Sequence, residues 1–126
     1  MSNLESEIKA VIRDVPNFPK DGILFKDIST LLLQPELSNK ILDALVAHYQ
    51  NHDIDAIAGI ESRGFLFGYA LALRLNKPFV LIRKVGKLPA DKISQNYALE
   101  YGTATIEIHA DALKNGARVL IHDDLL

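Results

Sequence analysis

Two adjacent carboxylates, Asp123 and Asp124, follow a short apolar run near the carboxyl end of this chain. Such a pair accepts hydrogen bonds from two sugar hydroxyls, offsets positive charge developing on a ribose ring, or holds Mg²⁺ through water. It equally suits a helix N-cap or a solubilising strand end. Glu61-Ser62-Arg63-Gly64 stands between a strand-like and a helix-like apolar run. A turn there aims backbone N–H groups outward beside the positive end of a helix dipole, so Arg63 could grip a diphosphate. The alternative is an exposed turn in which Gly64 merely relieves the backbone. Arg83, Lys84 and Lys87 open a long polar segment that could fold over a polyphosphate, although lysine-rich loops are commonly only solvated. Glu100, between Leu99 and Tyr101, is either an outward strand residue or an acid placed to protonate a purine nitrogen. Phe25, in a loop bounded by proline and glycine, is either a core aromatic or a stacking platform. His48, His52, His109 and His122 lack metal-ligand spacing, and none is assigned a catalytic role.

The elements that must position these residues can be read from periodicity. Ser2 and Glu5 fit a capping box, and Leu4, Ile8, Val11, Ile12 and Val15 follow at helical spacing, which predicts an opening amphipathic helix. Pro16, Pro19 and Gly22 predict a turn-like stretch over residues 15–27. Asp27 can cap a short helix reaching Leu33, and Leu37, Ile41, Leu42, Leu45, Val46 and Tyr49 predict a second one ending near His52. Residues 56–60 read as a buried strand, 65–75 as a helix apolar nearly all round, and 79–82 as another buried strand. A strand, a helix and a strand in that order are the βαβ unit of a parallel sheet. Residues 83–96 read as a long irregular connection, which in a compact domain moves or binds something. Residues 97–101 and 104–109 predict a hairpin around Gly102, with Ala104, Ile106 and Ile108 alternating with Thr105, Glu107 and His109. A helical turn over 111–115 and a last strand over 118–121 complete the pattern, and no helix follows that strand to cover the sheet.

Composition narrows the classes. The 126 residues are 48% apolar, enough for one core, and predict a single α/β domain. No apolar run approaches the roughly 20 residues of a membrane span, and the amino end lacks a secretory pattern, so a cytoplasmic location is the default. The absence of cysteine removes disulfides, thiolate metal sites and thiol nucleophiles. A net charge of −2 and a pI near 6.0 argue against a nucleic-acid surface or an anionic membrane as partner.

Several stretches together resemble the adenine phosphoribosyltransferase family, a branch of the type I phosphoribosyltransferases. Phe18-Pro19-Lys20-Asp21-Gly22-Ile23-Leu24-Phe25-Lys26-Asp27-Ile28 is similar to its purine-binding segment. Gly59-Ile60-Glu61-Ser62-Arg63-Gly64-Phe65-Leu66-Phe67-Gly68 resembles its pyrophosphate loop, and Arg83-Lys84-Val85-Gly86-Lys87-Leu88-Pro89 the start of its mobile hood. Leu99-Glu100-Tyr101-Gly102 is similar to the segment carrying its proposed acid, and Arg118 to Leu126 to the strand entering its ribose-5-phosphate loop. The chain departs from the family in lacking the glycine- and threonine-rich phosphate turn after the acidic pair; Asp21 is often proline in relatives and His122 usually aliphatic.

The resemblance implies a parallel-sheet core over residues 35–126, an amino-terminal helix and purine-binding segment over 1–34, and a flexible hood over about 84–97. It implies transfer of a phosphoribosyl group from 5-phosphoribosyl 1-pyrophosphate to adenine, giving adenosine monophosphate, with Mg²⁺ held by substrate oxygens and water rather than by a protein metal site. Leu24, Phe25 and Lys26 would then orient the base; Arg63, Arg83, Lys84 and Lys87 would hold phosphates; Tyr101 would line the substrate site. Glu100 would assist at the purine nitrogen, and Asp123 and Asp124 would serve the ribose. The missing phosphate turn leads us to expect a cut chain with little activity by itself. The all-round apolar helix points to a homodimer. A sugar-diphosphate sensor of the same fold, or a transferase for another purine, would carry many of the same residues; the lysine segment and Glu100 favour an enzyme.

Overall fold

The uncharged run Ala56-Ile57-Ala58-Gly59-Ile60 lies inside a five-stranded sheet in the computed structural model, which describes residues 3–99 and 102–124. In chain order the elements are α1 (Asn3–Val11), β1 (Arg13–Pro16), β2 (Leu24–Asp27), α2 (Ser29–Leu32), α3 (Pro35–Tyr49), β3 (Ala56–Ile60), α4 (Gly64–Leu75), β4 (Phe79–Lys84), β5 (Lys92–Leu99), β6 (Gly102–His109) and β7 (Val119–His122). They divide between two units, Met1–Ala47 and His48–Leu126.

In the first unit α1 stops at Val11, four residues before the expected end, because the chain turns extended at Arg13 and Val15 pairs with Phe25 in an antiparallel β1–β2 ladder. The turn-like stretch is thus a hairpin whose flanks are strands. Asn17, at φ 57°, accepts the Gly22 N–H through Oδ1 at 2.9 Å and closes the link. Two ion pairs across the ladder, Lys26–Asp14 at 2.7 Å and Arg13–Asp27 at 3.6 Å, are largely exposed and add little stability. Asp27 is not the cap of α2, whose N-cap is Ile28 with no side-chain bond; it instead accepts the Ser29 N–H at 2.9 Å in a local turn before the helix, which ends at Leu32. Thr30 donates its hydroxyl to the Val11 carbonyl, and Lys40 meets Glu7 at 3.0 Å, tying α2 and α3 to α1. The Ser2 half of the expected capping box lies outside the described residues.

The second unit is built on β3, which pairs in parallel with β4 on one side and β7 on the other. Its apolar run is continuous because both faces are covered. Ala56 and Ala58 point into a core with Val80 and Ile82, flanked by Ile60, Ile106, Ile108, Leu113 and Val119. Ile57, fully buried, belongs to the alternate face, as does Gly59. Four residues of α4, Gly64, Gly68, Leu71 and Ala72, are buried at helical spacing, whereas Leu66, Tyr69 and Leu73 are 45%, 53% and 63% exposed. Asn76 in the left-handed conformation ends the helix, and Lys77 N–H returns to the Ala72 carbonyl.

The sheet order is β5-β6-β4-β3-β7, with β6 antiparallel to β4 and β5 antiparallel to β6. The long connection expected from residue 83 onward is shorter than its polarity implies. Residues 92–99 form β5, paired with β6 from Lys92↔His109 to Leu99↔Gly102, which leaves only 85–91 as the link. As the outermost strand, β5 turns polar side chains to solvent, so its composition imitates a loop. Residues 111–115 make turns, not helix.

Two close approaches fix α4 against the strands. A Cβ built on Gly59 would lie 2.5 Å from Phe79 Cζ and 2.7 Å from the Gly64 carbonyl oxygen; one on Gly64 would lie 2.8 Å from the His122 carbonyl oxygen. The Phe79 ring fills the remaining space, edge-on to Phe65 and Tyr69. His122 lies beneath the same helix, its Cδ2 3.4 Å from where a Cβ on Gly68 would stand. Its Nε2 is buried and has no hydrogen-bond partner among the described residues. Burial holds the His122 imidazole below its ordinary pKa of 6.5, against the opposing pull of Asp123 and Asp124.

Gly59→Ala and Gly64→Ala should each lower unfolding free energy by about 1–3 kcal/mol in urea titrations, because backbone atoms must move to admit the methyl group. Unchanged midpoints would mean that the helix does not approach so closely. Because the unfolded chain takes up a proton near pH 6.5 while folded His122 resists it, stability is full above that pH and is lost as pH falls toward the lower folded-state value. Melting temperatures at pH 7.5 and 5.5 should therefore differ less in His122→Leu than in the parent chain.

Candidate functional site

Parallel pairing sends β4, β3 and β7 in one direction, so their carboxyl ends share one edge, where open α/β sheets bind ligands. Register sets Ile60 beside Ile82 and Gly59 beside His122. The residues that follow therefore emerge together: Arg83 and Lys84 from β4, Glu61 and Arg63 after β3, Asp123 and Asp124 after β7. A cavity of about 460 Å³ lined by Asp55, Ala56, Pro78, Leu113 and Lys114 opens at the opposite end, where the strands begin, and holds none of these groups.

Arg63 stands at the N-cap position of α4, with no side-chain cap on the helix, and the Glu61–Ser62 peptide before it is cis. A helix start with no side-chain cap, at the positive end of its dipole, favours an anion. Arg63 reaches Asp124 Oδ2 with both Nε and Nη2, and the two side chains are 31% and 14% exposed. The cation expected to hold diphosphate and one of the acids expected to hold ribose hydroxyls are thus in direct contact. Asp123 Oδ1 accepts the Asp124 N–H at 2.8 Å. Burial nevertheless pushes the Asp123 carboxyl above its ordinary value, and the neighbouring Asp124 adds to the shift.

Glu61 is no simple exposed turn residue. Its side chain is 12% exposed, accepts the Lys84 N–H at 2.8 Å and pairs with Arg83 at 3.3 Å. The Lys84 amide above all, then the Arg83 guanidinium, hold its carboxyl below the ordinary range, and the Lys87 charge contributes. The strand tips consequently carry two carboxylate–arginine contacts side by side, Arg83 with Glu61 and Arg63 with Asp124. Lys84 and Lys87 continue from the first, joined by a Lys87 N–H bond to the Lys84 carbonyl at 3.2 Å.

Leu24, Phe25 and Lys26 lie in the first unit, on β2. Leu24 is half exposed, and the Phe25 ring meets Phe18 edge-on at 5.2 Å. Glu100 and Tyr101 fall outside the described residues. Sequence reasoning overlooked Glu61 as a holder of the lysine segment and gave no role to Glu107; the signal for Glu61 was its place directly after a buried strand.

A family model described as the phosphoribosyl transferase domain matches residues 27–126. The adenine phosphoribosyltransferase of Ureaplasma parvum serovar 3 is 56% identical over 119 residues, covering 94% of this chain and 69% of that protein. The crystal structure of the enzyme of that name from Thermoanaerobacter pseudethanolicus superposes with a TM-score of 0.89 at 50% identity, over 94% of this chain and 69% of the other. The one from Saccharomyces cerevisiae, complexed with an imino-altritol bisphosphate and adenine, gives 0.87 at 41% identity, over 96% and 71%. With its parallel strand tips, its arginine at the helix start and its paired terminal acids, the chain belongs to the phosphoribosyltransferase family and, within it, to the adenine phosphoribosyltransferases.

Proposed function

We propose that the protein transfers the phosphoribosyl group of 5-phosphoribosyl 1-pyrophosphate to adenine, releasing pyrophosphate and forming adenosine monophosphate, a purine-salvage reaction. The observation that carries this reading is the contact of Arg63 with Asp124 across the β3 and β7 ends, which puts an anion-binding helix start beside two acids. Adenine as the acceptor is supported by the yeast relative, whose complex contains it.

In the reaction the bond from ribose C1 to the pyrophosphate oxygen breaks, its electron pair leaving with that oxygen, and a purine nitrogen forms the new bond to C1. Positive charge accumulates on the ribose as the old bond lengthens. Asp124 offsets it and, with Asp123, accepts the ribose hydroxyls once Arg63 turns from Asp124 to the more highly charged diphosphate. Arg83, Lys84 and Lys87 hold that diphosphate from the neighbouring strand, where Glu61 fixes the Lys84 backbone and the Arg83 fork. Phe25 stacks on the base while Leu24 and Lys26 read its edge. Glu100 serves the purine nitrogen that exchanges a proton, and Tyr101 lines the same site.

Among the described residues no group of three acidic or imidazole side chains is placed to enclose a metal ion. Asp123 and Asp124 would hold Mg²⁺ through water, with substrate oxygens as its other ligands. Mg²⁺ supplies charge neutralisation to the leaving group. The exposed Leu66, Tyr69 and Leu73 face of α4 supports a homodimer. Among the described residues no helix is long and apolar enough to cross a membrane, and phosphorylated substrates that do not cross bilayers fit a cytoplasmic enzyme.

Product formation from labelled adenine, hypoxanthine and guanine by the full-length protein tests the reading. Adenine should be the preferred acceptor, and preference for either oxopurine would sink the assignment. Asp124→Asn should lower kcat about 100-fold or more, while unfolding free energy shifts by no more than about 1 kcal/mol. An unaltered turnover number would remove Asp124 from the reaction.

A further inference from the structure

Glu107, in β6, is 4% exposed and is the one buried charged side chain among the described residues. Register places it directly opposite Arg83 of β4 and Ser94 of β5, so the three share a row across the sheet. Its Oε1 accepts the Gly86 N–H at 3.0 Å and its Oε2 accepts the Ser94 hydroxyl at 2.8 Å. One carboxylate therefore ties the start of the link after β4 to a residue of β5. Within that link, the Lys87 N–H to Lys84 carbonyl bond closes a four-residue turn whose third residue, Gly86, has φ +83°, as a type II turn requires. Nothing lies within 4 Å of where a Gly86 Cβ would stand, so packing does not hold the turn there. The Glu107 bond to Gly86 does, aided by the Val85 N–H to Thr105 carbonyl at 3.0 Å. A buried carboxylate is a costly way to join two strands that an apolar pair would join as well. Its distinctive capacity is to accept two directed hydrogen bonds at once.

We propose that Glu107 is a positioning residue that fixes the Lys84 to Lys87 turn, so that both ammonium groups are presented to the diphosphate of the substrate. The inference rests on the function proposed above, with Glu107 acting only through the turn. Glu61 holds the same turn from the strand-tip side through the Lys84 amide, which leaves Glu107 to set its far half.

The test combines hydrogen exchange at the Gly86 amide with steady-state kinetics of the full-length protein. In Glu107→Ala, Gly86 should exchange about tenfold faster or more. The KM for 5-phosphoribosyl 1-pyrophosphate should rise about fivefold, with kcat and the adenine KM within about twofold. Glu107→Gln, which still accepts from Gly86 and can pair with Ser94, should restore both readouts. Unchanged Gly86 protection in Glu107→Ala, an unchanged KM despite faster exchange, or failure of glutamine to restore them each overturns the proposal. If the alanine variant does not fold, Glu107→Asp, which keeps the charge but shortens the reach, should give the same changes in smaller measure. A parent protein without transfer activity defeats the function reading and the substrate half of this inference, while Gly86 exchange still decides whether Glu107 holds the turn.

Discussion

The chemistry of this chain depends on how closely a helix approaches two strands. Gly59 and Gly64 leave no side chain between β3, the first turn of α4 and the carboxyl end of β7, and the backbones meet where any other residue would hold them apart. The Phe79 ring seals the remaining gap and makes the contact a packed one. Only with the helix this near does its uncapped start, with the positive end of its dipole, lie beside the Asp123 and Asp124 carboxylates. A helix start suited to anions and a pair of carboxylates then share one edge of the sheet.

Such an edge must be balanced in charge before it can be selective for a sugar diphosphate. The balance is local: Arg83 against Glu61, Arg63 against Asp124, each pair partly buried and drawn from neighbouring strands. Partial burial makes these contacts stronger than exposed pairs and makes an unmatched charge more costly. The acids are themselves unequal, since burial raises Asp123 while Asp124 is occupied by Arg63. Carboxylates also act away from the ligand, where Glu61 and Glu107 grip the lysine turn from two sides and replace solvent freedom with directed hydrogen bonds.

Much of the second unit was legible because its signals are local. Residues 56–60, 65–75 and 79–82 could be read as strand, helix and strand, since apolar runs of these lengths between glycine, asparagine and proline punctuation admit few alternatives. Errors arose where polarity and conformation part company. Strand β5 looked like a loop because an edge strand exposes polar side chains, and β1 and β2 looked like turns because three prolines and glycines lie in or between them. Glu107 escaped notice because alternation puts it opposite the isoleucines without revealing that the polar face is itself covered.

By itself the sequence determined which segments form buried strands, because residue type and short-range periodicity act over a few positions. It also determined the family, through several characteristic runs in one order along the chain. Tertiary structure alone decided that Arg63 touches Asp124, 61 positions away, that Glu61 faces Lys84, and that a carboxylate is buried at position 107. Those contacts follow from strand order and register, which are fixed by hydrogen bonds and packing between distant segments rather than by any property of the residues in isolation.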